Sequence, residues 1–214
     1  MLKVGLTGGI ACGKSYTLKQ FQKLGAFAID ADQIVHQLLE PGALGYEKVI
    51  EVFGRKFLDE DSRLNRRKLG ELVFSQEEAR QKLNSIMHPL VFVEEAKLVS
   101  EAEATHYGAP MIIVDAALMV EVGAFRDYQA VVMLYCRPEV QLMRLRRRDG
   151  LSEEEAMKRI ESQMPLLEKI KYADYIIENS GKLAHTDEQV THTFKDLLFR
   201  YQENDFDSMW KVTG

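Results

Sequence analysis

At 214 residues, with 46% apolar and 29% charged residues, the chain has the make-up of a soluble globular enzyme, long enough for one large domain or a core carrying an insert. A formal charge of −5 argues against the broad basic face that general nucleic-acid binding needs, and no apolar run approaches the ~18 residues of a membrane span. The N-terminus runs straight into a strand-like segment without a basic leader or cleavable apolar stretch, so the expected location is the cytoplasm.

Leu2 to Leu6 is short, apolar and β-favouring. Gly8-Gly9-Ile10-Ala11-Cys12-Gly13-Lys14-Ser15 follows and fits G-x-x-x-x-G-K-[ST], and a helical pattern begins at once with Leu18, Phe21 and Leu24. Strand, glycine-rich loop and helix in that order predict a phosphate loop. Its backbone N–H groups turn inward around an anionic phosphate and the helix N-terminus adds partial positive charge. Lys14 can then reach the β- and γ-phosphates, and the Ser15 hydroxyl takes a Mg²⁺ position. The bound nucleotide is expected to be ATP with Mg²⁺. Cys12 lies within the loop and Cys136 at the end of a predicted strand; they have no metal-ligand spacing and read as two reduced thiols.

Ala26 to Ile29 reads as a second strand ending at Asp30-Ala31-Asp32, and Ile34, Val35, Leu38 and Leu39 give an amphipathic helix that stops at Pro41-Gly42. Two carboxylates thus stand at the mouth of a parallel strand, the ligand-binding edge of open α/β sheets. Asp30 is either a helix cap or a catalytic group; Asp32, two positions on, is read as functional. From Tyr46 to His106 the pattern is helical, broken by a polar turn at Asp59-Glu60-Asp61-Ser62. Ser75 to Glu78 has capping-box spacing, and Pro89 predicts a break or kink at His88-Pro89. An insert of this length is expected to cap the sheet edge and hold a second substrate. Within it Arg66, Arg67, Lys68 and His88 are either solvated helix charges or groups facing that substrate.

Met111 to Asp115 is a buried-type strand ending in an acid, an arrangement in which the carboxylate holds Mg²⁺ directly or through water. Ala130 to Tyr135 and Tyr175 to Ile177 are the fourth and fifth strands, with helices from Pro138 and from Ser152 between them, the latter with a capping box to Glu155. Val190, Phe194, Leu197, Leu198 and Tyr201 mark a last amphipathic helix, before a mostly polar tail. Arg144 and Arg148 share one helix face at i, i+4, just before a short helical excursion from Ser152 to Tyr172. Phosphoryl transfer spreads negative charge over the transferred group, so a kinase needs such cations on a closing lid. Arg146 and Arg147 read as solvated.

GLTGGIACGKS, IDAD at Ile29, EPG at Glu40, FG at Phe53, LNRRKLGELVF from Leu64, LNSIMHPLV from Leu83, RRRDGLS and ADYIIENSG are similar, in order and spacing, to the motifs of the dephospho-coenzyme A kinases. This resemblance covers nearly the whole chain. It implies an α/β P-loop NTPase fold, adenylate-kinase-like, with a five-stranded parallel sheet flanked by helices, a helical acceptor domain and a lid. The corresponding division is 1–40, 107–149 and 173–214 for the nucleotide-binding core, 41–106 for the acceptor-binding insert and 150–172 for the lid. It also implies transfer of the ATP γ-phosphate to the 3′-hydroxyl of dephospho-CoA. Asp32 would be the acid that accepts the hydroxyl proton, Arg144 and Arg148 the lid arginines, and Asn179 the residue near the adenine. Arg66, His88, Leu118 and Gln163 would bind the acceptor. Gly8, Gly9, Ile10, Ala11, Cys12, Gly13, Lys14, Ser15 and Tyr16 would hold ATP, with Ser15 and, through water, Asp115 on Mg²⁺.

Two departures stand out. The family usually reads D-x-P-L-L-[FY]-E after the third strand, whereas this chain has Asp115-Ala116-Ala117-Leu118-Met119-Val120-Glu121, and losing the proline should loosen the turn lining the acceptor pocket. Tyr16 stands where threonine is common, one position past the metal ligand. A kinase for another small hydroxyl or phosphate acceptor is the alternative within enzymes. A nucleotide-switched regulator is disfavoured by the lack of an N-K-x-D motif and of D-x-x-G after the third strand. The partner is expected to be a small molecule, with neither nucleic acid nor membrane, and a monomer is assumed.

Overall fold

The computed structural model describes residues 1–105 and 108–203. The tail from Asn204, expected to be polar and partly loose, lies outside the described residues, as does His106 at the end of the helical insert. By contact density the chain divides into two compact units, one made of Met1–Ile29 and the chain from Glu103 onward, the other of Asp30–Ala102.

The first unit is built on a five-stranded sheet in the order β2-β3-β1-β4-β5. Its strands are β1 (Leu2–Gly8), β2 (Phe27–Asp30), β3 (Met111–Asp115), β4 (Ala130–Tyr135) and β5 (Tyr175–Glu178). β1 pairs in parallel with both β3 and β4, and β4 with β5. MIIVD and AVVMLY are almost unbroken apolar runs because central parallel strands are covered on both faces. The register sets Leu6 beside Asp115 and Gly8 beside Leu134, so the acid ending β3 lies level with the last residues before the glycine-rich loop.

Helices α1 (Lys14–Lys23) and α9 (Leu183–Gln202) contribute Phe21, Val190, Phe194 and Leu197 to the main core. These pack with Leu2, Val4, Leu6, Met111, Ile113, Val132 and Leu134. Each fully buried side chain of this size contributes roughly 1.5–3 kcal/mol, which is what fixes the strand ends that carry the polar groups below. Between β4 and β5 run α6 (Pro138–Asp149), α7 (Glu153–Glu161) and the four-residue α8 (Leu166–Lys169). Pro138 starts α6, where its missing N–H costs nothing, and Gly150 closes it in the left-handed region. Ser152 caps α7 with the expected reciprocal bonds to Glu155.

The second unit holds α2 (Ala31–Leu38), α3 (Leu44–Phe53), α4 (Arg66–Ser75) and α5 (Glu77–Thr105). Its core gathers Leu39, Tyr46, Val49, Phe57, Leu64, Leu69 and Met87. The polar turn is present: Asp59 Oδ1 accepts from the N–H groups of Asp61 and Arg63, and Leu58 bridges Leu64 across it.

One expectation fails here and another is narrowed. Ser75 does not open a helix. It is the last residue of α4, and its hydroxyl donates back to the Glu71 and Leu72 carbonyls. Of the break or kink expected at His88-Pro89, the break is absent, since the 29-residue α5 runs on through Pro89. The proline removes the donor for the Ser85 carbonyl, but Ser85 and Pro89 both lie on the exposed face, where solvent can reach the freed carbonyl. Met87 on the opposite face is anchored in the core, which holds the helical path through the pre-proline residue.

Candidate active site

The glycine-rich loop leaves β1 at the centre of the sheet and ends in α1. Ala11 has a positive φ of 60° and Gly13 one of 101°, so the backbone folds back on itself before Lys14 opens the helix. The peptide of Ile10, near the apex, is held on both sides: its N–H donates to Gln163 Oε1 at 2.8 Å, and its carbonyl accepts from Gln141 Nε2 at 2.9 Å. Gly9 lies so close to Gln141 and Leu166 that a side chain there would not fit.

Behind the loop, Asn179 is 2% exposed; its amide donates to the Cys12 carbonyl at 2.8 Å, and its oxygen accepts from the Thr186 hydroxyl at 2.9 Å. The amide of Asn179, expected near the adenine, thus links the loop at one end to α9 at the other. Cys12 and Cys136 are free thiols with their sulfurs 3.0 Å apart. The hydrogen bond between them holds Cys12 below the ordinary thiol range and, with burial, pushes Cys136 up. Arg144 adds a positive field at both sulfurs.

Lys14 Nζ meets Asp115 Oδ1 at 2.6 Å, with the two side chains 13% and 8% exposed. This joins the cation at the start of α1 to the acid that ends β3. Ser15, next along, is exposed at the start of α1. The Tyr16 hydroxyl donates to Asp187 at 2.8 Å, tying α1 to α9.

Arg144 and Arg148 lie on one face of α6, yet their surroundings differ. Arg144 is half-buried, and its Nη1 is buried with no hydrogen-bond partner. An unsatisfied buried donor on a cation is costly, and an anion arriving at the loop would supply what it lacks. Arg148 makes a forked contact with Asp149 at 2.7 and 3.1 Å, and Arg159 of α7 reaches the same carboxylate at 2.8 Å. The Arg148 guanidinium holds the Asp149 carboxyl below its usual range. Arg146, read as solvated, is exposed and pairs with Glu153 at 3.1 Å across the turn between α6 and α7.

Within the second unit Asp30 is the N-cap of α2, its carboxylate accepting from Gln33 N–H at 3.0 Å, as the capping alternative expects. Asp32 lies in the first turn of the same helix, where the helix field favours negative charge. Arg66 donates to the His36 carbonyl at 3.1 Å and to Glu40 at 2.7 Å, so it braces α2 against α4. Arg67 pairs with Glu71 on its own helix, and Lys68 donates to the Lys56 carbonyl. His88 is half-buried on α5. In the first unit Leu118, in the turn after β3, is 43% exposed.

Sequence reasoning missed three residues that support this site: Gln141, Thr7 and Lys169. Gln141 is buried one turn before the buried Leu145, so a polar residue on an apolar helix face was the available signal. Lys169 is completely buried and pairs with Glu121 at 2.6 Å. Thr7 donates to the Ala117 carbonyl at 3.3 Å, a contact between positions 110 residues apart that no local pattern announces.

The profile of a family described as dephospho-CoA kinase matches residues 2–185. A dephospho-CoA kinase of Carboxydothermus hydrogenoformans is 44% identical over 187 residues, covering 87% of this chain and 90% of that one. One of Aquifex aeolicus is 39% identical over 198 residues, covering 92% and 98%. Among solved structures, a dephospho-CoA kinase from Campylobacter jejuni superposes with a TM-score of 0.65 at 31% identity, over 93% of this chain and 98% of that one.

Proposed function

The chain belongs to the dephospho-CoA kinase family, and from that premise we propose that it transfers the terminal phosphoryl group of ATP to the 3′-hydroxyl of dephospho-CoA, giving CoA and ADP. The observation that carries the chemistry is the phosphate loop with Lys14 held on Asp115 and the unpartnered Arg144 guanidinium nitrogen on the neighbouring helix.

In this reading the loop N–H groups and Lys14 grip the β- and γ-phosphates, and the helix start at Lys14 adds its field. Arg144 donates to the transferring group, and Arg148 adds charge once the lid of residues 150–172 closes and excludes water. Asp32 orients the acceptor hydroxyl and takes its proton. Arg66 and His88 of the insert of residues 41–106, Leu118 in the turn after β3 and Gln163 of the lid are each assigned to binding the acceptor. Asn179 and Gln141 act on the loop itself.

The Ser15 hydroxyl and the Asp115 carboxylate are hard oxygen donors that suit Mg²⁺, with Asp115 acting through water. Among the described residues no group of three or more His, Cys, Asp or Glu could hold a metal, which fits an ion held mainly by nucleotide oxygens and water. When bound, Mg²⁺ neutralises charge on the phosphate oxygens. No helix among the described residues is long and apolar enough to cross a membrane, and a cytoplasmic location is consistent with that.

The test is coupled ADP release with Mg²⁺-ATP, with and without dephospho-CoA, and with adenosine, AMP and shikimate as rival acceptors. Turnover is expected only with dephospho-CoA. Equal or faster turnover with a rival would transfer the assignment to that acceptor. ATP binding with no transfer to any of them would reopen the regulatory reading.

A further inference from the structure

We propose that Lys169 is a positioning residue for phosphoryl transfer, acting through the Ala117 carbonyl on the turn that follows Asp115; the proposal rests on the kinase reading above. Lys169 is the last residue of α8, just beyond the α7 segment, and is 0% exposed. Its ammonium makes two contacts, one to Glu121 Oε1 at 2.6 Å and one to the Ala117 carbonyl at 3.1 Å. Thr7, one residue before the loop, donates its hydroxyl to the same carbonyl. Glu121 Oε1 also accepts the Met164 N–H at 3.2 Å.

The backbone of this turn is already tied to β1, because the Ala116 N–H donates to the Leu6 carbonyl at 3.0 Å. Residues 115 to 117 therefore run alongside Leu6 and Thr7, with one end of the stretch holding Lys14 through Asp115 and the other gripped by Lys169. Beside that backbone tie, the Ala117 carbonyl is the point at which side chains, Thr7 and Lys169, hold the turn. Fixing that carbonyl fixes the direction in which the Asp115 carboxylate leaves the strand.

A buried ion pair is a poor device for stability alone, since apolar residues of similar size often serve as well or better. The pair here is also imperfectly satisfied, as Glu121 Oε2 is buried without a partner. Retaining it makes sense where geometry is what counts, and its geometry is that of the turn beside the phosphate loop.

The experiment compares the parent with Lys169→Met, the charge-free double variant Lys169→Met/Glu121→Leu, and Thr7→Val. For each, the melting midpoint, the Mg²⁺-ATP dissociation constant by titration calorimetry, and kcat and KM for dephospho-CoA are measured. Lys169→Met alone leaves Glu121 uncompensated and is expected to lose stability. The double variant should melt close to the parent and bind ATP within about threefold, while kcat falls by about 10- to 100-fold, the range found when groups that orient a catalytic ligand are removed. Thr7→Val, which keeps the volume and removes the other tie, should keep the melting midpoint and lower kcat several-fold. A double variant with restored stability and kcat within threefold of the parent would overturn the proposal. Should the double variant not fold, an unchanged kcat in Thr7→Val would overturn it. A parent inactive with dephospho-CoA would overturn the kinase reading and the proposal with it.

Discussion

Replacing Gly13 by alanine tests how the phosphate loop is supported. The backbone there has φ of 101°, a left-handed conformation that costs an L-residue about 1–2 kcal/mol. The added methyl would overlap the Asn179 amide nitrogen. Asn179 cannot yield cheaply, because moving it breaks its bonds to the Cys12 carbonyl and the Thr186 hydroxyl, all in groups at most 2% exposed. Each buried partner left unsatisfied costs about 1–3 kcal/mol. Alanine recovers roughly 0.4–1 kcal/mol through a stiffer unfolded chain. The net loss is about 2–8 kcal/mol, which in a protein of this size lowers the melting midpoint by roughly 4–30 °C. Differential scanning calorimetry of Gly13→Ala, Asn179→Ala and the double variant reads this directly. If the overlap dominates, the double variant is far less damaged than the sum of the singles. A Gly13→Ala midpoint within about 3 °C of the parent, or strict additivity, would refute the reasoning.

Asp32→Asn is expected to abolish transfer while leaving ATP affinity intact; a kcat within a few-fold of the parent would remove Asp32 from the role of base. Arg144→Met should move stability and activity in opposite directions. It deletes an unsatisfied buried donor, so the melting midpoint holds or rises, while kcat drops by about 100-fold. Loss of both together would mean that the side chain is structural. Tyr175 donates to Asp196 at 2.5 Å, and burial with that bond pushes its pKa up to about 12, above the ordinary value of 10. Its contribution is therefore complete below pH 10 and lost as pH rises from 10 through 12. Urea unfolding of the parent and Tyr175→Phe should differ by about 1 kcal/mol at pH 8, with the gap closing near pH 12. A gap that widened over that interval would contradict the sign.

Features governed by local rules were legible in the sequence. The loop, the acid ending the third strand, the strands from Ala130 and Tyr175, and the Ser152 capping box each follow from a run of fewer than about ten residues. Where two local signals competed, the reading was less secure. Asp30 resembles a cap and a catalyst equally in sequence, and only its bond to Gln33 shows the cap. Pro89 looked like a break because the rule for prolines ignores which face of the helix carries them. Contacts across the fold were not legible at all. Lys169 and Ala117 are 52 positions apart and Asn179 and Cys12 are 167 apart, and nothing in either neighbourhood encodes the partner. The support that the Asn179 amide gives the loop therefore has no local signal beside its expected place near the adenine.

The two glutamines that pin the Ile10 peptide bear on how affinity would be inherited. Gln141 and Gln163 come from separate elements, so the shape of the loop apex is an equilibrium property of the folded protein. If only a fraction of molecules hold that shape, the measured dissociation constant is the intrinsic one divided by that fraction. Loss of Gln141 would then weaken nucleotide binding in proportion to the molecules that leave the competent shape, with no phosphate contact removed. Drift in sequence at such positions would tune how much nucleotide the protein needs before it works, leaving the chemistry of each turnover as it was.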